Sequence, residues 1–363
     1  MRVLVLYGTR PEAIKMAPVV RELRRRGGRF TTLVATTAQH RQMLDPMQRL
    51  FALEPDVDLD LMQPDQGLNE LAARSFAELD RVYTALAPEL VLVQGDTTTA
   101  MAGALAAFHR RLPVGHVEAG LRTGDLQRPF PEEANRRVVD LVSTLCFAPT
   151  ALARENLLAE GVSEGRILVT GNTVVDALCW IAAQLPPEPP ADEVLITVHR
   201  RESFGSPLGE IFGAIRELAA GFPATRWVYP VHRNPNVWNP AHEVLGGIPN
   251  VELHEPFDYL EMVRRLRRAR LVLTDSGGLQ EEAPTFARPV LVLRETTERP
   301  EGVEAGVARL VGCDRRRIVT ETSRLLTDPD AYAAMAGGAN PYGDGRAAER
   351  IVNALEAWSA TRE

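Results

Sequence analysis

The chain contains almost no lysine. Among its 41 lysine and arginine residues, Lys15 is the only lysine. The two side chains are not interchangeable, because arginine carries a flat, forked guanidinium and lysine a compact ammonium group. A single lysine in an arginine-biased chain therefore suggests that position 15 requires an ammonium, with chance as the alternative explanation. We treat Lys15 as a candidate site residue.

Long apolar runs and paired cysteines are also missing. The first apolar run, residues 3–6, is too short for a signal peptide, and no segment approaches the length that spans a membrane. Cys146, Cys179 and Cys313 are odd in number and lack metal-ligand spacing, which is typical of reduced thiols in a cytoplasm. The formal net charge of −7 argues against a nucleic acid or an anionic membrane as partner. These absences predict a cytoplasmic protein and leave small charged metabolites as its ligands.

The length and the hydrophobic pattern predict two domains. A chain of 363 residues exceeds what one hydrophobic core usually supports. Short apolar runs such as residues 90–93 and 271–273 predict strands, and they alternate with helical patterns in both halves. This alternation predicts an α/β fold with two Rossmann-like, doubly wound domains that face each other. We place the domains at residues 1–175 and 190–342, with a proline-dense linker or crossover at 176–189 and a helix within 345–363 that returns to the first domain.

One stretch, residues 271–284, has the pattern of an anion site. A short strand is followed by the turn Thr-Asp-Ser-Gly-Gly and by the first turn of a helix. Such a turn leaves backbone N–H groups at the positive end of the helix dipole, and Gly277 and Gly278 let an anion approach closely. Ser276 adds a hydroxyl donor, and Glu282 is placed to accept hydrogen bonds from a ribose diol. This pattern predicts a phosphate site, with an ordinary strand-to-helix turn as the alternative.

Acidic side chains follow two predicted strands of the first half. Asp96 comes after one strand and Glu118 after the next. Because the carboxyl ends of parallel strands meet at the same sheet edge, where open α/β sheets bind ligands, we expect these acids near each other and near Arg10 and Lys15. For Asp96 the alternative is a helix N-cap. Glu132 begins the helix that follows an irregular loop, which we interpret as covering the substrate.

Eight ordered motifs extend over nearly the whole chain. They are GTRPEAIKMAP (8–18), QGDTT (94–98), HVEAGLR (116–122), PEEANR (131–136), HRRES (199–203), YPVH (229–232), TDSGGLQEEAP (274–284) and NPYGDG (340–345). Together they resemble the non-hydrolysing UDP-N-acetylglucosamine 2-epimerases, and so many motifs in order exclude a chance match. The resemblance implies a GT-B fold with two domains around a cleft, a homodimer, and interconversion of UDP-GlcNAc with UDP-ManNAc for cell-surface polysaccharide biosynthesis. It implies no cofactor and no metal.

The resemblance also implies roles for individual residues. The diphosphate contacts fall on Arg10, His199, Ser276 and Gly277, the ribose acceptor on Glu282, and the uracil contact on the backbone near Phe257. The catalytic set comprises Asp96, Glu118, Glu132, Lys15 and His199, and the substrate-binding set comprises Arg10, Arg136, Phe257, Ser276, Gly277, Gly278, Glu282 and Arg299.

A second, activating UDP-GlcNAc is bound by bacterial members that this chain resembles. Its ligands correspond to Gln39, His40, Gln42, Arg200 and His232. The chain departs from the pattern at Asp65, where some members carry an arginine that holds the activator. Because an acid repels a diphosphate, this departure argues against activation.

The residue types suit an elimination. The C2 proton of an N-acetylhexosamine lies next to no carbonyl, so a base alone does not remove it. If the C1–O bond to UDP breaks first, the C2 proton becomes acidic, and carboxylates then remove and return it through a 2-acetamidoglucal. Clustered carboxylates push each other's pKa values apart, but the sequence leaves open which one is the base and which the acid. The alternatives are a hydrolysing 2-epimerase that releases ManNAc and UDP, a GT-B glycosyltransferase, and a module that binds UDP-sugar without turnover.

Overall fold

The computed structural model describes residues 1–39, 41–63 and 66–361. Its internal contacts divide the chain into two compact units. The first comprises Met1–Ala177 with Gly343–Glu363, and the second comprises Leu178–Tyr342. The division falls inside one helix, Thr173–Gln184, which overlaps the segment 176–189 that the sequence predicts as a linker. Each unit is built around its own parallel sheet.

The described part of the first unit contains a seven-stranded sheet. Its strands are β1 (Arg2–Tyr7), β2 (Thr31–Thr36), β3 (Val57–Asp58), β4 (Leu90–Gln94), β5 (Val114–Val117), β6 (Leu145–Ala148) and β7 (Ile167–Val169). They lie in the order β3-β2-β1-β4-β5-β6-β7, and every pairing is parallel. The chain reverses its direction of winding between β1 and β4. Ligands of open α/β sheets bind at such a switch point, outside the carboxyl ends of the strands.

Helices cover the faces of this sheet. They are α1 (Arg10–Arg25), α2 (Arg41–Phe51), α3 (Leu68–Leu86), α4 (Thr98–His109), α5 (Glu132–Val142), α6 (Ala151–Ala159) and α7 (Thr173–Gln184). Threonines start two of them, because the hydroxyls of Thr97 and Thr150 accept hydrogen bonds from the third N–H of α4 and α6. With helices on both sides, β4 is buried along its whole length, as its continuous apolar sequence requires.

The second unit repeats this plan with a six-stranded parallel sheet. Its strands are β8 (Glu193–Thr197), β9 (Arg226–Pro230), β10 (Val251–His254), β11 (Leu271–Thr274), β12 (Val290–Val292) and β13 (Ala308–Leu310). They lie in the order β10-β9-β8-β11-β12-β13, so the switch point falls between β8 and β11. The helices are α8 (Ser206–Gly221), α9 (Pro235–Leu245), α10 (Tyr259–Arg268), α11 (Gly277–Glu282), α12 (Pro300–Glu304), α13 (Arg315–Thr327) and α14 (Pro329–Ala336). The predicted α/β class with two doubly wound sheets is confirmed.

The last helix, α15 (Ala347–Ala360), belongs to the first unit. Its first two backbone N–H groups donate to the carboxylate of Asp176, at 3.1 and 2.9 Å. Further along, Glu356 forms a 3.0 Å ion pair with Arg26, at the end of α1. These contacts fix α15 against the first unit. None of the helices in the described residues has the length and apolar character needed to cross a membrane.

Candidate functional site

The carboxylate of Glu118 is the centre of the polar edge of the first unit. Glu118 follows β5, and its side chain is only 6 % exposed. The Lys15 ammonium, from the second turn of α1, forms an ion pair with Oε1. The same oxygen accepts a 2.9 Å hydrogen bond from Nδ2 of Asn172, while Oε2 accepts from Nε2 of Gln94. Three donors therefore converge on this one carboxylate and fix its position.

The backbone fixes the direction of this carboxylate as well. Glu118 has φ +70°, in the left-handed region that costs free energy for a residue with a side chain. Residues held in that region cluster at functional sites. Gln94 and Asn172 are partners that we did not predict. Gln94 ends β4, and Asn172 lies between β7 and α7, so their position at the same sheet edge was a signal available in the sequence.

Asp96 lies at the switch point, immediately beyond β4. Its carboxylate forms an ion pair with Arg136 of α5, whose side chain is 11 % exposed. Its backbone carbonyl accepts a 2.9 Å hydrogen bond from Asn135. Glu132, the first residue of α5, is half-buried, and no hydrogen bond or ion pair within the described residues joins it to Asp96 or Glu118. The structure thus brings Asp96 together with Arg136, and Glu118 together with Lys15.

A buried carboxylate, Glu12, joins the loop after β1 to the loop after β4. Its Oε2 accepts from the backbone N–H of Gly8 and Thr9, at 3.0 and 2.7 Å, and its Oε1 accepts from the hydroxyl of Thr97 at 2.6 Å. Burial raises the pKa of Glu12. Arg10 is the first residue of α1 within this arrangement. The spacing Thr-x-x-Glu is a capping-box signal that could have identified Glu12 from the sequence.

Gly8 offers a test of how tightly this loop is packed. A Cβ added at Gly8 would overlap the hydroxyls of Thr37 and Thr99, which are buried and hydrogen-bonded to each other at 2.7 Å. Gly8→Ala is therefore expected to cost about 1–3 kcal/mol and to lower the melting temperature and the catalytic activity. Thermal denaturation and an activity assay measure both. In the control, Gly28→Ala, the added Cβ meets nothing within 4 Å, and equal losses in the two variants would contradict the prediction.

The polar edge of the second unit is organised by His199 and Asp275. Asp275 follows β11 and is fully buried, and its Oδ2 accepts from the backbone N–H of His199 at 2.9 Å and of Arg200 at 2.8 Å. The His199 ring stacks on His232, with 5.6 Å between ring centroids. Burial lowers the pKa of His199, the Asp275 charge opposes this, and His232 and Arg200 lower it further.

The predicted phosphate turn, residues 274–278, forms the other side of this switch point. The backbone N–H of Ser276 donates to the hydroxyl of Thr274 at 2.9 Å. A Cβ added at Gly277 would lie 2.9 Å from Cζ of Arg299, so a larger residue would require that guanidinium to move. The following helix, α11, has six residues, and its dipole is correspondingly small. The diphosphate contact of this turn therefore remains a prediction.

Acidic partners surround Arg299. Its Nε lies 2.6 Å from Glu281 and its Nη1 lies 2.9 Å from Glu298. Burial alone would raise the pKa of Glu298, but the charges of Arg299 and Arg294 lower it to about 2. Arg299 is therefore held rigidly beside Gly277. Glu282 is half-buried.

Phe257, the predicted uracil contact, lies in the loop between β10 and α10. Its ring is half-buried, 5.1 Å from the ring of His254 between centroids. The guanidinium of Arg265 lies over the ring, 5.5 Å from its centroid. Such a ring offers an aromatic surface with a cation beside it. Contact with a base at this position stays a prediction.

The residues predicted to hold an activator are distributed over both units. Gln39 is buried and donates to the hydroxyl of Thr99 at 3.1 Å, while Gln42, in α2, is exposed. In the second unit, Arg200 forms a 3.2 Å ion pair with Glu298, and His232 stacks on His199. His40 and Asp65 lie outside the described residues.

The two edges carry groups of different chemistry. The first unit presents carboxylates paired with Lys15 and Arg136, which suits proton transfer and stabilisation of positive charge. The second presents His199, Arg200 and Arg299, which suit an anionic ligand. In residues 1–39, 41–63 and 66–361, no three His, Cys, Asp or Glu side chains are grouped as a metal site requires.

Two doubly wound sheets with polar side chains at both switch points define an α/β protein of the GT-B class. Residues 21–356 match the sequence profile of the family described as UDP-N-acetylglucosamine 2-epimerase. The chain belongs to this family, and the resemblance identified from the motifs is confirmed.

Relatives and solved structures are similar over nearly the full length. The UDP-N-acetylglucosamine 2-epimerase of Escherichia coli K12 is 50 % identical, and the match covers 98 % of each chain. That of Bacillus subtilis 168 is 47 % identical, with 98 % of this chain and 95 % of the relative covered. The crystal structure of the Neisseria meningitidis enzyme bound to UDP-GlcNAc has a TM-score of 0.89 at 44 % identity, with 98 % of this chain and 100 % of that chain covered.

Proposed function

We propose that this chain is a non-hydrolysing 2-epimerase that interconverts UDP-GlcNAc and UDP-ManNAc. The carboxylate of Glu118 carries the proposal, because the Lys15 ammonium and two amide groups fix its position at the ligand-binding edge of the first sheet. Family membership supports the same substrate, since relatives bear the name UDP-N-acetylglucosamine 2-epimerase. A related structure is described with bound UDP-GlcNAc.

The reaction proceeds by elimination and re-addition. The C1–O bond breaks and its electron pair leaves with the β-phosphate oxygen of UDP, so C1 gains oxocarbenium character. A carboxylate removes the C2 proton, and the C2–H electrons form the C1–C2 double bond of 2-acetamidoglucal. A proton then returns to the opposite face of C2 while the UDP oxygen attacks C1. Every atom of the substrate is retained, and no oxidant or reductant is consumed.

Groups of the second unit bind the leaving UDP in this proposal. His199, Ser276 and Arg299, together with Arg10 of the first unit, stabilise the charge that develops on the diphosphate. Such electrostatic stabilisation is usually the largest contribution to catalysis. Glu282 accepts hydrogen bonds from the ribose diol, and the loop at Phe257 contacts the uracil.

Residues of the first unit transfer the C2 proton in this proposal. Glu118, surrounded by donors, is a candidate to accept the C2 proton or to stabilise the positive charge at C1. Asp96, held by Arg136, and Glu132, at the start of α5, are the remaining candidates for the proton donor. Lys15 fixes the position of Glu118 through their ion pair.

Deuterium incorporation tests the elimination. When the enzyme turns over UDP-GlcNAc in D2O, we expect the UDP-ManNAc product to carry one deuterium at C2, because the removed proton exchanges with solvent before a proton returns. NMR of the C2 position measures this, with an incubation in H2O as the control. Product that retains its original hydrogen at C2 would exclude the mechanism.

The same incubation separates the alternative functions. A hydrolysing enzyme would release ManNAc with UDP in stoichiometric amounts, whereas the proposed enzyme retains the UDP-sugar bond at equilibrium. A glycosyltransferase would require an acceptor, and its chemistry gives the three acids no role. A binding module would bind UDP tightly and leave C2 unexchanged.

The family resemblance also supports a proposal for the oligomeric state, the cellular location and the pathway of the enzyme. The chain forms a homodimer in the cytoplasm and supplies UDP-ManNAc for cell-surface polysaccharide. If a second UDP-GlcNAc binds, the resemblance assigns it five ligands: Gln39, His40, Gln42, Arg200 and His232.

A further inference from the structure

Asp275 has one carboxylate oxygen without a hydrogen-bond partner. The residue is fully buried, and its Oδ2 is occupied by the backbone N–H groups of His199 and Arg200 and by the hydroxyl of Ser203 at 3.5 Å. Its Oδ1 accepts no hydrogen bond within the described residues. A buried carboxylate oxygen is more stable when it accepts a hydrogen bond. The oxygen is therefore available to accept a hydrogen bond from a neighbouring donor.

The nearest candidate donor is the His199 ring. Its Nδ1 lies 3.6 Å from Oδ1 of Asp275, beyond hydrogen-bond distance. The His199 side chain is 41 % exposed, and one of its faces rests on the ring of His232. A movement of less than about 1 Å would bring the two atoms within bonding range.

We propose that Asp275 is a positioning residue that accepts a hydrogen bond from Nδ1–H of His199 when a nucleotide diphosphate binds. The proposal rests on the proposed function, because it takes the diphosphate of a UDP-sugar as the ligand. A carboxylate on Nδ1 fixes the tautomer and the orientation of a histidine ring and stabilises its cationic form. Nε2–H then points away from Asp275 and donates to the departing phosphate oxygen.

The charges around the ring explain why binding drives this change. Burial lowers the pKa of His199 and Asp275 opposes that effect, while the neighbouring His232 and Arg200 lower the pKa further. An arriving diphosphate adds negative charge on the exposed side of the ring. The imidazolium is then held between two anionic groups, which favours the charged form. Asp275 thus favours the charged form of the His199 ring once a diphosphate is bound.

Asp275→Asn tests the proposal. The amide oxygen retains the acceptor for the backbone N–H groups of His199 and Arg200, while the amide nitrogen replaces Oδ1 and faces Nδ1 with a donor. We expect kcat to fall about 100-fold, with KM changed far less. Because Asp275 raises the pKa of His199, its loss lowers that pKa. The limb on which activity falls as pH rises should therefore move to lower pH.

Glu202→Gln is the matched control. It removes the same charge from the loop after β8 that carries His199, but Glu202 is 56 % exposed and is paired with Arg294 at 2.8 Å. We expect it to leave kcat and the pH profile unchanged. If Asp275→Asn kept the wild-type pH limb, Asp275 would have only a structural role and the proposal would be wrong.

A measurement on the unmodified enzyme covers the case in which the variant fails to fold. Proton–nitrogen NMR of the histidine side chains, with UDP as the added ligand, should show Nδ1 of His199 protonated in the complex. An Nδ1 without a proton in the UDP complex would overturn the proposal. This NMR measurement requires UDP binding but no turnover. The absence of 2-epimerase activity would therefore contradict the proposed function without deciding the role of Asp275.

Discussion

Lys15→Met is expected to reduce kcat by about 100- to 1,000-fold, the range for loss of one preorganised electrostatic contact. The side chains of Lys15 and Glu118 are 15 % and 6 % exposed and form an ion pair. Removing one partner leaves the charge of the other buried without its counter-charge, which costs about 3–5 kcal/mol in typical buried pairs. A 2-epimerase assay and thermal denaturation of the same preparation measure both losses.

Two further variants separate charge from geometry. Lys15→Arg keeps the positive charge, so we expect it to recover stability. It should not recover turnover, because a forked guanidinium cannot take the position of a compact ammonium. Lys15→Met combined with Glu118→Gln should regain much of the stability lost by Lys15→Met alone, since no buried charge then remains unpaired. Full turnover by Lys15→Arg would show that the site does not require an ammonium.

The strand pattern of the sequence predicted the sheet edges that carry the candidate site. The apolar run at 90–93 corresponds to β4 (Leu90–Gln94), and the parallel strand β5 (Val114–Val117) pairs directly beside it. In parallel sheets the end of each strand marks the ligand-binding edge. This explains why Asp96 and Glu118 could be placed at one edge without coordinates.

The partners of these acids were not predictable in the same way. Whether Gln94 and Asn172 reach Glu118 depends on the φ of +70° at Glu118 and on the start of α7, neither of which follows from apolar periodicity. The sequence predicted Asp275 only as part of the turn before Gly277. In the structure its carboxylate accepts a hydrogen bond from the backbone N–H of His199. Short polar contacts between distant loops are decided by tertiary packing, and a hydrophobic pattern contains no information on them.

A second buried network, centred on His116 and Asp140, supports the loops that carry Asp96 and Glu118. His116 is 0 % and Asp140 1 % exposed, and Nδ1 lies 2.6 Å from Oδ1. Nε2 lies 2.8 Å from the carbonyl oxygen of Gly95, next to Asp96. Since both neighbours are acceptors, both ring nitrogens are placed to donate.

The other oxygen of Asp140 continues this network. Its Oδ2 accepts from the backbone N–H of Gly120 at 3.2 Å and forms a 2.8 Å ion pair with Arg122. Gly120 lies two residues beyond Glu118, so one carboxylate holds the loop after β5 and, through His116, the loop after β4. Burial alone would raise the pKa of Asp140, but the charges of His116 and Arg122 bring it below its ordinary value.

Asp140→Asn is therefore expected to be strongly destabilising. It leaves Arg122 and His116 in the interior beside a neutral amide, and breaking a buried pair costs about 3–5 kcal/mol. For domains of 150–250 residues this corresponds to a fall in melting temperature of roughly 6–20 °C. The matched control, Glu349→Gln, breaks a 2.9 Å pair with Arg346 whose side chains are 64 % and 41 % exposed, and it should change the melting temperature little.

The pH dependence of the melting temperature tests whether the charge of Asp140 causes the expected loss of stability. A carboxylate whose pKa is depressed by folding stabilises the folded state above its unfolded pKa of about 3.9, and the contribution is lost as pH falls through the folded pKa. The difference in melting temperature between the wild type and Asp140→Asn should thus be constant from neutral pH to about pH 5 and shrink below about pH 4. A difference that stayed the same at low pH would mean that packing, and not the ion pair, makes Asp140 necessary.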